Sequence, residues 1–293
     1  MGKRILITGA NSYIGTSFEN WLKQHGDQYV VDTVDMLDEN WRDKDFSGYD
    51  TVFHVAGIAH ADTGKVSEET KALYYKVNRD LTVETASKAK ADGVTQFIFM
   101  SSVIVYGSKH EIITKDTIPQ PDNFYGDSKL QAEQGLTALN DSSFRVVILR
   151  PPMIYGKGSK GNYPLLSKIA RKAPFFPDVD NRRSMIYIDN LCEFVRLMVD
   201  NEEAGTFFPQ NSAYVKTAEM VRLIAEAHGR KIRLFRWMNW AVRLLGCVPG
   251  KVGRLVNKAF GSLVYEMGMS EYEANYHIVS LETSIQNTVK QDA

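Results

Sequence analysis

The sequence predicts an α/β protein with a doubly wound parallel sheet and a smaller α/β lobe toward its C-terminal end. Strand-like and helix-like segments alternate through the first half, and a glycine-containing loop joins the first strand to the first helix. The alternation becomes irregular after Pro151 and Pro152. Parallel strands alternating with helices form sheets covered on both faces, with right-handed crossovers. These observations together predict the fold class.

The elements of the first half follow from composition and periodicity. Short runs rich in β-branched and aromatic residues favour strands, and longer stretches with helical spacing favour helices. Strands are expected at Arg4–Thr8, Tyr29–Val34, Thr51–Val55, Gln96–Met100 and Arg145–Leu149. Helices are expected at about Tyr13–Gln24, Val66–Ala91 and Phe124–Leu139.

Composition narrows the functional classes. The 293 residues carry 35 basic and 35 acidic side chains, so the net charge gives no indication of a nucleic-acid partner. The cysteines Cys192 and Cys247 lie far apart and match no metal-ligand spacing, which suits free thiols in a reducing compartment. No stretch approaches a transmembrane length, and Ile5–Ile7 is too short for a signal-peptide core. We therefore expect a cytoplasmic protein with no metal site and no integral membrane segment.

The loop TGANSYIG, Thr8 to Gly15, is the first candidate binding site. A strand-to-helix turn presents free N–H groups and a helix N-terminus, which suit a pyrophosphate. Gly9 allows the tight turn, and Gly15 lets the helix pack closely on the strand. Ser12 replaces the middle glycine of the usual pattern, and its hydroxyl could donate to a phosphate. Alone, the loop is equally compatible with a plain turn.

Asp35 strengthens the interpretation as a dinucleotide site. It closes the second strand about 20 residues past the loop, where a carboxylate can accept hydrogen bonds from the adenosine ribose. It would repel a 2′-phosphate, and Met36 follows it rather than an arginine, so NAD is favoured over NADP. Asp32 is a less well placed competitor, and a solvated aspartate at a strand end is the alternative.

A second constellation predicts the chemistry. Tyr125 and Lys129 stand four residues apart on a predicted helix and therefore on one face of it. A lysine ammonium favours the phenolate, which makes tyrosine a usable general acid and base. Ser102 follows the strand Gln96–Met100, at the sheet edge where open α/β folds bind ligands. The three side chains are expected to meet beside the dinucleotide.

The sequence resembles the extended short-chain dehydrogenases/reductases of the NAD-dependent epimerase/dehydratase family. The matching pieces lie in order across nearly two thirds of the chain: TGANSYIG, Asp35, HVAG (54–57), VN (77–78), SSVIVYG (101–107), YGDSK (125–129), LRPPMIYG (149–156) and RRSMIYIDNL (182–191). Ser12 is the departure from the pattern. The resemblance implies a Rossmann fold and a nucleotide-sugar substrate.

Carried over by position, the resemblance implies a role for each matching residue. Tyr125 is the acid/base, Lys129 binds the nicotinamide ribose and tunes Tyr125, and Ser102 bonds the reacting sugar oxygen. The cofactor contacts are Gly9, Asn11, Ser12, Tyr13, Ile14, Gly15, Asp35, Ala56 and Gly57, with Asn78 as a structural asparagine. Asn162 and Arg183 match contacts to a nucleotide diphosphate, with a turn or cap residue as the alternative for Asn162. For Arg183 the alternatives are a surface salt bridge or replacement by Arg182.

Several reactions remain compatible with the family. Its dehydratases carry Thr-Asp-Glu where this chain has Ser102, Val103 and Ile104, and aliphatic side chains cannot move protons, so 4,6-dehydration is disfavoured. The same catalytic residues serve a UDP-hexose or UDP-N-acetylhexosamine 4-epimerase and an NAD(P)H-dependent 4-ketoreductase of a UDP-4-keto-6-deoxy-N-acetylhexosamine in capsule or O-antigen synthesis. A third hypothesis is a non-catalytic dinucleotide-binding regulator. It is disfavoured because such proteins typically lose the tyrosine or the lysine, and Tyr125 and Lys129 are both present here.

We expect residues 1–155, joined by about 185–210, to form the NAD-binding domain, and residues 156–184 and 211–293 the substrate lobe. Family members often dimerise through two long helices, here about 66–91 and 124–139. Residues 229–265 hold eight basic and no acidic side chains, interleaved with Trp237 and Trp240. This segment is expected to cover the substrate diphosphate, to form a solvated basic face, or to touch an anionic membrane weakly.

Overall fold

The first half of the chain contains the expected alternation. The computed structural model describes residues 2–59 and 66–292, without the side chains of Lys251, Arg254, Gln291 and Asp292. The elements of this half are β1 (Lys3–Thr8), α1 (Tyr13–Leu22), β2 (Tyr29–Val34), β3 (Thr51–His54), α2 (Glu68–Tyr75), α3 (Leu81–Ala91), β4 (Gln96–Met100), β5 (Ile112–Ile113), α4 (Phe124–Thr137) and β6 (Arg145–Leu149).

The second half contains shorter strands and six helices within the described residues. Its elements are β7 (Met153–Tyr155), α5 (Tyr163–Lys172), β8 (Phe175–Pro177), β9 (Met185–Tyr187), α6 (Ile188–Asp200), β10 (Gly205–Phe207), α7 (Thr217–Ala227), β11 (Arg233–Phe235), α8 (Asn239–Gly246), α9 (Lys251–Phe260), β12 (Val264–Tyr265) and α10 (Leu281–Asp292).

A six-stranded parallel sheet forms the centre, in the order β10-β6-β4-β3-β1-β2. The chain leaves β1 toward β2 on one side and returns through β3 on the other, so the strand order reverses between β1 and β3. Ligands of doubly wound folds bind at such a switch point, at the carboxyl ends of the strands. The predicted α/β class is confirmed, and the loops after β1 and β3 lie at this position.

Both faces of the sheet are buried, as alternation along the strands requires. Ile5 and Ile7 of β1 point into one core, and Leu6 points into the other. The first core includes residues of α1 and α6, which pack together, and the second includes residues of α3 and α4. Strands that are buried on both faces are apolar along almost their whole length, which is why the sequence predicts these segments as strands.

The helices differ from expectation at three places. The predicted helix 66–91 is interrupted by a π-helical turn at Lys76–Asp80, between α2 and α3. The first helix ends at Leu22 and is followed by the 3₁₀ segment Lys23–Gln28, in which Gly26 has φ of 61°. Helix α4 ends at Thr137, two residues before the predicted end.

The second half contributes to the main sheet and to small sheets of its own. Strand β10 pairs with β6, β7 with β9, β8 with β11 and β12 with β5. The division into a cofactor domain and a substrate lobe remains a prediction. Cys192 is buried and Cys247 is exposed, both as free thiols. Within the described residues, no helix is long and apolar enough to cross a membrane.

Candidate active site

The loop after β1 has the geometry of a helix N-terminus facing the switch point. Gly9 has φ of 96°, and a Cβ there would lie 2.9 Å from the Ala56 backbone nitrogen. Asn11 has φ of 62°, a conformation that asparagine adopts more readily than most residues. The N–H groups of Tyr13 and Ile14, in the first turn of α1, have no acceptor within the helix. They are available to an anion at the end of β1.

Ser12 has a specific structural use. It is the N-cap of α1, and its Oγ accepts a hydrogen bond of 3.2 Å from the Gly15 N–H. A Cβ on Gly15 would lie 2.7 Å from that Oγ and 3.1 Å from Cγ2 of Ile7, so the glycine is needed for both the cap and the helix–strand contact. The Ser12 O–H can still donate outward. Serine at this position therefore gives α1 a side-chain N-cap, which glycine could not provide.

The Tyr13 side chain packs away from the loop, against the second half of the chain. Its hydroxyl is buried and has no hydrogen-bond partner among the described residues, and a Cβ on Gly156 would lie 2.7 Å from it. Burial is the main cause that raises the pKa of this phenol above its ordinary value, and the neighbouring Cys192 adds to it. Tyr13 therefore fixes the position of the α1 N-terminus.

The two candidate aspartates at β2 are placed differently. Asp35 is exposed just beyond the strand, and its Oδ1 accepts a hydrogen bond of 2.9 Å from the Leu37 N–H. Asp32 accepts a hydrogen bond of 2.8 Å from the Tyr49 hydroxyl. Asp35 is thus the carboxylate that projects at the end of the strand, and its contact with the ribose stays a prediction.

The chain after β3 forms the other wall of the switch point. Ala56 is buried and Gly57 is exposed. A Cβ on Gly57 would lie 3.0 Å from Oδ1 of Asn78 and 3.1 Å from Nζ of Lys129. The glycine therefore lets the backbone pass close to two polar side chains, where an added methyl group would press against both.

Asn78 ties this segment to the helix that carries the catalytic candidates. It lies in the π-helical turn and is fully buried. Its Oδ1 accepts from the Ile58 N–H at 2.8 Å, and its Nδ2 donates to the Ile58 carbonyl at 3.0 Å and to the Ser128 hydroxyl at 3.1 Å. The Ser128 hydroxyl in turn donates to the Tyr125 carbonyl at 2.8 Å. The asparagine thus links the end of β3 to the first turn of α4.

Ser102 and Tyr125 lie near each other. Ser102 follows β4 and caps a short 3₁₀ turn, with its Oγ accepting from the Ile104 N–H at 3.3 Å. Its hydroxyl lies close enough to the Tyr125 phenol to act on the pKa of that group. Burial raises the pKa of Tyr125 to about 12, and the Ser102 contact acts in the opposite direction. The expected lowering of this pKa by Lys129 is not present: burial is the largest cause, and the other groups that act on the pKa are Ser102, which lowers it, and Tyr74, which raises it.

Lys129 lies on α4, one turn after Tyr125, and is almost fully buried. Its Nζ donates to the Met100 carbonyl at 3.0 Å and lies 4.6 Å from the centre of the Phe99 ring. Burial lowers the pKa of this ammonium to about 8, while the carboxylate of Glu133 acts to raise it. An ammonium has three donors, and among the described residues the Met100 carbonyl uses one of them, so donors remain for a ribose.

A buried ion pair that the sequence analysis did not single out supports this lysine. Arg150 donates from Nη2 to Oε2 of Glu133 at 2.6 Å and from Nη1 to the Tyr106 hydroxyl at 2.7 Å. The Ser101 hydroxyl donates to the same Glu133 carboxylate. Glu133 stands four residues after Lys129 on α4, and Arg150 opens the RPPMIYG stretch. That spacing, together with the arginine directly after a buried strand, is the sequence pattern from which the ion pair could have been predicted.

The two candidate diphosphate contacts lie in the second half. Asn162 precedes α5, and its side chain makes no capping hydrogen bond. Nη1 of Arg183 donates to the carbonyls of Lys258 and Gly261, at 3.2 and 3.1 Å. The Arg183 guanidinium is thus held by carbonyls at the end of α9 rather than by a surface salt bridge, and burial lowers its pKa. Arg182 is exposed, with its guanidinium 6.0 Å from the Tyr214 ring centre.

The described residues fit a dinucleotide. The loop after β1 offers helix N-terminal N–H groups, Asp35 projects beyond β2, and the Gly57 backbone lies close to the Lys129 ammonium. A serine–tyrosine pair beside a buried lysine adds a proton donor and acceptor at the same edge of the sheet. Together the fold and the site define a dinucleotide-dependent oxidoreductase of the short-chain dehydrogenase type.

Comparison with known proteins identifies the family. The model of the NAD dependent epimerase/dehydratase family matches residues 5–209. The chain belongs to this family, and it is an NAD(P)-dependent sugar epimerase/reductase whose cofactor is NAD.

Two curated relatives and one solved structure show the range of this similarity. The chain is 33% identical over 289 residues to a UDP-glucose 4-epimerase of Vibrio cholerae, covering 90% of this chain and 87% of the relative. It is 31% identical over 222 residues to the N-acetyl-alpha-D-glucosaminyl-diphospho-ditrans,octacis-undecaprenol 4-epimerase of Escherichia coli O157:H7, covering 70% and 66%. A dTDP-4-dehydrorhamnose reductase of Clostridium acetobutylicum superposes with a TM-score of 0.74 at 20% identity, over 98% and 99% of the two chains.

Proposed function

We propose that the protein is a 4-epimerase of a UDP-hexose or UDP-N-acetylhexosamine in the cytoplasm. One observation carries the proposal: the Ser102 hydroxyl lies near the Tyr125 phenol, one helical turn from the buried Lys129, in a chain 33% identical to a relative named UDP-glucose 4-epimerase over nearly its whole length. Similarity of this extent supports the same reaction class, and the three side chains are those that proton transfer at a sugar hydroxyl requires.

The side chains of this site have distinct tasks in the proposed reaction. Ser102 bonds the 4-oxygen of the sugar and orients it toward the Tyr125 phenol. When bound, oxidised NAD supplies the acceptor for the hydride from C4 and a positive charge that favours the Tyr125 phenolate. Tyr125 accepts the 4-hydroxyl proton as C4 becomes a ketone, and returns it when C4 is reduced on its other face. Lys129 holds the nicotinamide ribose and keeps positive charge near Tyr125.

The residues after Ser102 argue against 4,6-dehydration. Val103 and Ile104 occupy the 3₁₀ turn that follows β4, and neither side chain carries an exchangeable proton. A 4-ketoreductase would use the same Ser102, Tyr125 and Lys129, so the site geometry is common to it and the epimerase. The identity to the Vibrio cholerae relative is the observation that favours the epimerase.

The diphosphate of the substrate is assigned to the second half of the chain. The Asn162 side chain at the start of α5 does not cap that helix, and the Arg183 guanidinium is oriented by two carbonyls that accept from its Nη1. Such a fixed guanidinium suits two oxygens of a diphosphate. The same contacts would serve a sugar diphosphate on a lipid carrier, the substrate named for the Escherichia coli relative.

The decisive experiment follows UDP-sugars and bound cofactor with the purified protein. We expect the protein to interconvert a UDP-hexose or UDP-N-acetylhexosamine and its 4-epimer without consuming any NAD or NADH from solution. Consumption of NADH only with a 4-keto sugar nucleotide would instead identify a reductase. A lipid-diphosphate sugar forms a third arm of the assay.

Variants of two tyrosines test the mechanism. Tyr125→Phe should lower kcat by about 10²–10⁴-fold, because it removes the proton-transfer group, with NAD binding retained. Tyr75→Phe is the matched control, since its hydroxyl donates to Asp127 outside the site at 2.6 Å. Unchanged turnover in Tyr125→Phe would exclude the mechanism. Absence of any turnover in the wild-type protein, with NAD bound, would favour the non-catalytic regulator.

We also propose a homodimer that uses the outer face formed by α2, α3 and α4. These helices pack together within one chain, and Leu73 on α2 is exposed. Light scattering after size exclusion should give twice the chain mass for the wild type and a monomer for Leu73→Glu. A monomeric wild type would exclude this arrangement.

A further inference from the structure

The last third of the chain carries a helical hairpin with an unusual surface. We define the basic hairpin as residues 236–260, which contain α8 and α9. The two helices pack against each other, and Nδ2 of Asn257 donates to the Gly246 carbonyl at 3.1 Å across the turn. A Cβ on Gly253 would lie 2.1 Å from the Val248 carbonyl oxygen, so the backbones approach closely there. The hairpin is therefore a defined element.

Its outer surface is apolar. The side chains of Trp237, Trp240 and Leu244 are 65%, 60% and 61% exposed, and α8 contains no buried residue. Trp240 and Leu244 stand four residues apart on α8 and therefore on one side of it, and Trp237 lies in the 3₁₀ turn just before the helix. Val252 and Leu255 on α9 are exposed as well. Large apolar side chains gathered on one surface mark an interaction site, whereas single ones do not.

The charge of the hairpin is of one sign. Residues 236–260 hold five basic and no acidic side chains: Arg236, Arg243, Lys251, Arg254 and Lys258. Arg243 and Lys258 are exposed, and the side chains of Lys251 and Arg254 lie outside the described residues. Arg236 is paired with Asp178 at 3.3 Å. An apolar surface within a positive region complements a partner that offers both hydrocarbon and negative charge.

We propose that the basic hairpin docks on the surface of a bilayer containing anionic phospholipid. Exposed tryptophans beside lysine and arginine are the side chains that helices use to lie in a membrane interface. The helices, of 8 and 10 residues, are too short to span it. The inference does not depend on the reaction proposed above. Because Arg183 is bonded to the Lys258 and Gly261 carbonyls, docking would bring the proposed diphosphate contact close to the bilayer.

Vesicle sedimentation of the full chain tests the proposal. The protein should pellet with vesicles of phosphatidylglycerol and phosphatidylcholine in equal parts, and remain in solution with phosphatidylcholine alone. Raising the salt from about 0.05 to 0.5 M should release it, because the Debye length falls with ionic strength. Bromine-labelled lipid should quench tryptophan fluorescence, and Trp237 and Trp240 are the exposed tryptophans, since Trp41 is buried and Trp21 partly so.

Two double variants separate the apolar and the charged contributions. Trp240→Ser with Leu244→Ser should lower the partition coefficient at least about tenfold, through lost apolar burial. Arg243→Gln with Lys258→Gln should lower it about 25-fold, since each basic side chain near an anionic surface contributes about fivefold.

The controls make matching changes elsewhere on the surface. Leu37→Ser with Ile118→Ser replaces side chains that are 91% and 70% exposed. Lys109→Gln with Lys115→Gln removes two exposed charges. Both controls should bind as the wild type does, and the charge variants should retain its thermal unfolding midpoint.

Three results would overturn the proposal. The first is the absence of salt-sensitive pelleting with anionic vesicles. The second is unchanged binding of the Arg243/Lys258 variant, which tests the surface even where the apolar variant fails to fold. The third is a wild-type dimer that the Trp240/Leu244 variant converts to a folded monomer, because the apolar surface would then be occupied by a second copy of the chain.

Discussion

Replacing Glu133 by glutamine should destabilise the protein far more than an ordinary loss of one surface ion pair. The Glu133 side chain is 4% exposed and that of its partner Arg150 is 12% exposed. Arg150 donates to both carboxylate oxygens, from Nη2 at 2.6 Å and from Nε at 3.1 Å. Glutamine keeps the shape but places an uncharged amide, with its own N–H donors, against the guanidinium.

The size of the effect follows from desolvation. Removing one partner of a buried ion pair leaves the other charge without compensation, at a cost of about 3–5 kcal/mol. The Ser101 hydroxyl, which donates to the same carboxylate, would also lose a charged acceptor. Glu84→Gln is the matched control, because its pair with Arg42 at 2.6 Å is about half exposed. An exposed pair contributes about 0–1 kcal/mol.

Urea unfolding at neutral pH, followed by circular dichroism, measures both variants against the wild type. The double variant Glu133→Met with Arg150→Met should recover much of the loss, since it removes both charges and keeps apolar volume. Equal free-energy losses for Glu133→Gln and Glu84→Gln would refute the reasoning. So would a double variant as unstable as Glu133→Gln alone.

Three further predictions concern the cofactor side of the site. Lys129→Met removes the buried ammonium. In the wild type, burial lowers the pKa of this group from 10.5 to about 8, so the cost of burying its charge is present below pH 8 and disappears as the pH rises toward 10.5. The wild type should therefore gain about 3 kcal/mol of unfolding free energy relative to the variant over that interval, and a constant difference would contradict this. Gly57→Ala should lower kcat by about 10–100-fold, because the new methyl displaces Lys129, whereas Gly268→Ala, with open space around it, should not. Asp35→Asn should weaken NAD binding in calorimetry by about 10–100-fold through loss of a charged acceptor, and an equal loss in Asp32→Asn would remove the assignment.

The sequence predicts the central sheet well because its strands are buried on both faces. β2, β4 and β6 have the predicted bounds, and β1 and β3 differ by one residue at one end. Apolar runs of this kind have few other uses in a folded chain. The irregular second half was predicted only as a lobe, because strands of two or three residues carry no periodic signal. Short strands such as β12 are fixed by long-range pairing instead.

In the candidate site, too, the sequence predicts some features and not others. The positions of Ser102, Tyr125 and Lys129 follow from strand ends and helical spacing, and the structure places Ser102 near Tyr125. The pKa of Tyr125 was not predictable, because it depends on burial by side chains from other elements. The role of Ser12 was not predictable either, since capping and phosphate donation use the same hydroxyl from opposite sides.

Asn78 shows why a helical pattern can be correct and still miss the feature that matters. The stretch 66–91 has helical periodicity, but the turn Lys76–Asp80 is π-helical, and π turns often occur at functional sites. One extra residue in a turn rotates the side chains after it, which periodicity averaged over a long helix cannot detect. The Asn78 side chain thereby forms hydrogen bonds with the N–H and the carbonyl of Ile58, the residue after Gly57, and with the Ser128 hydroxyl. The irregular turn therefore sets the distance between the wall of the cofactor cleft and the helix carrying Tyr125.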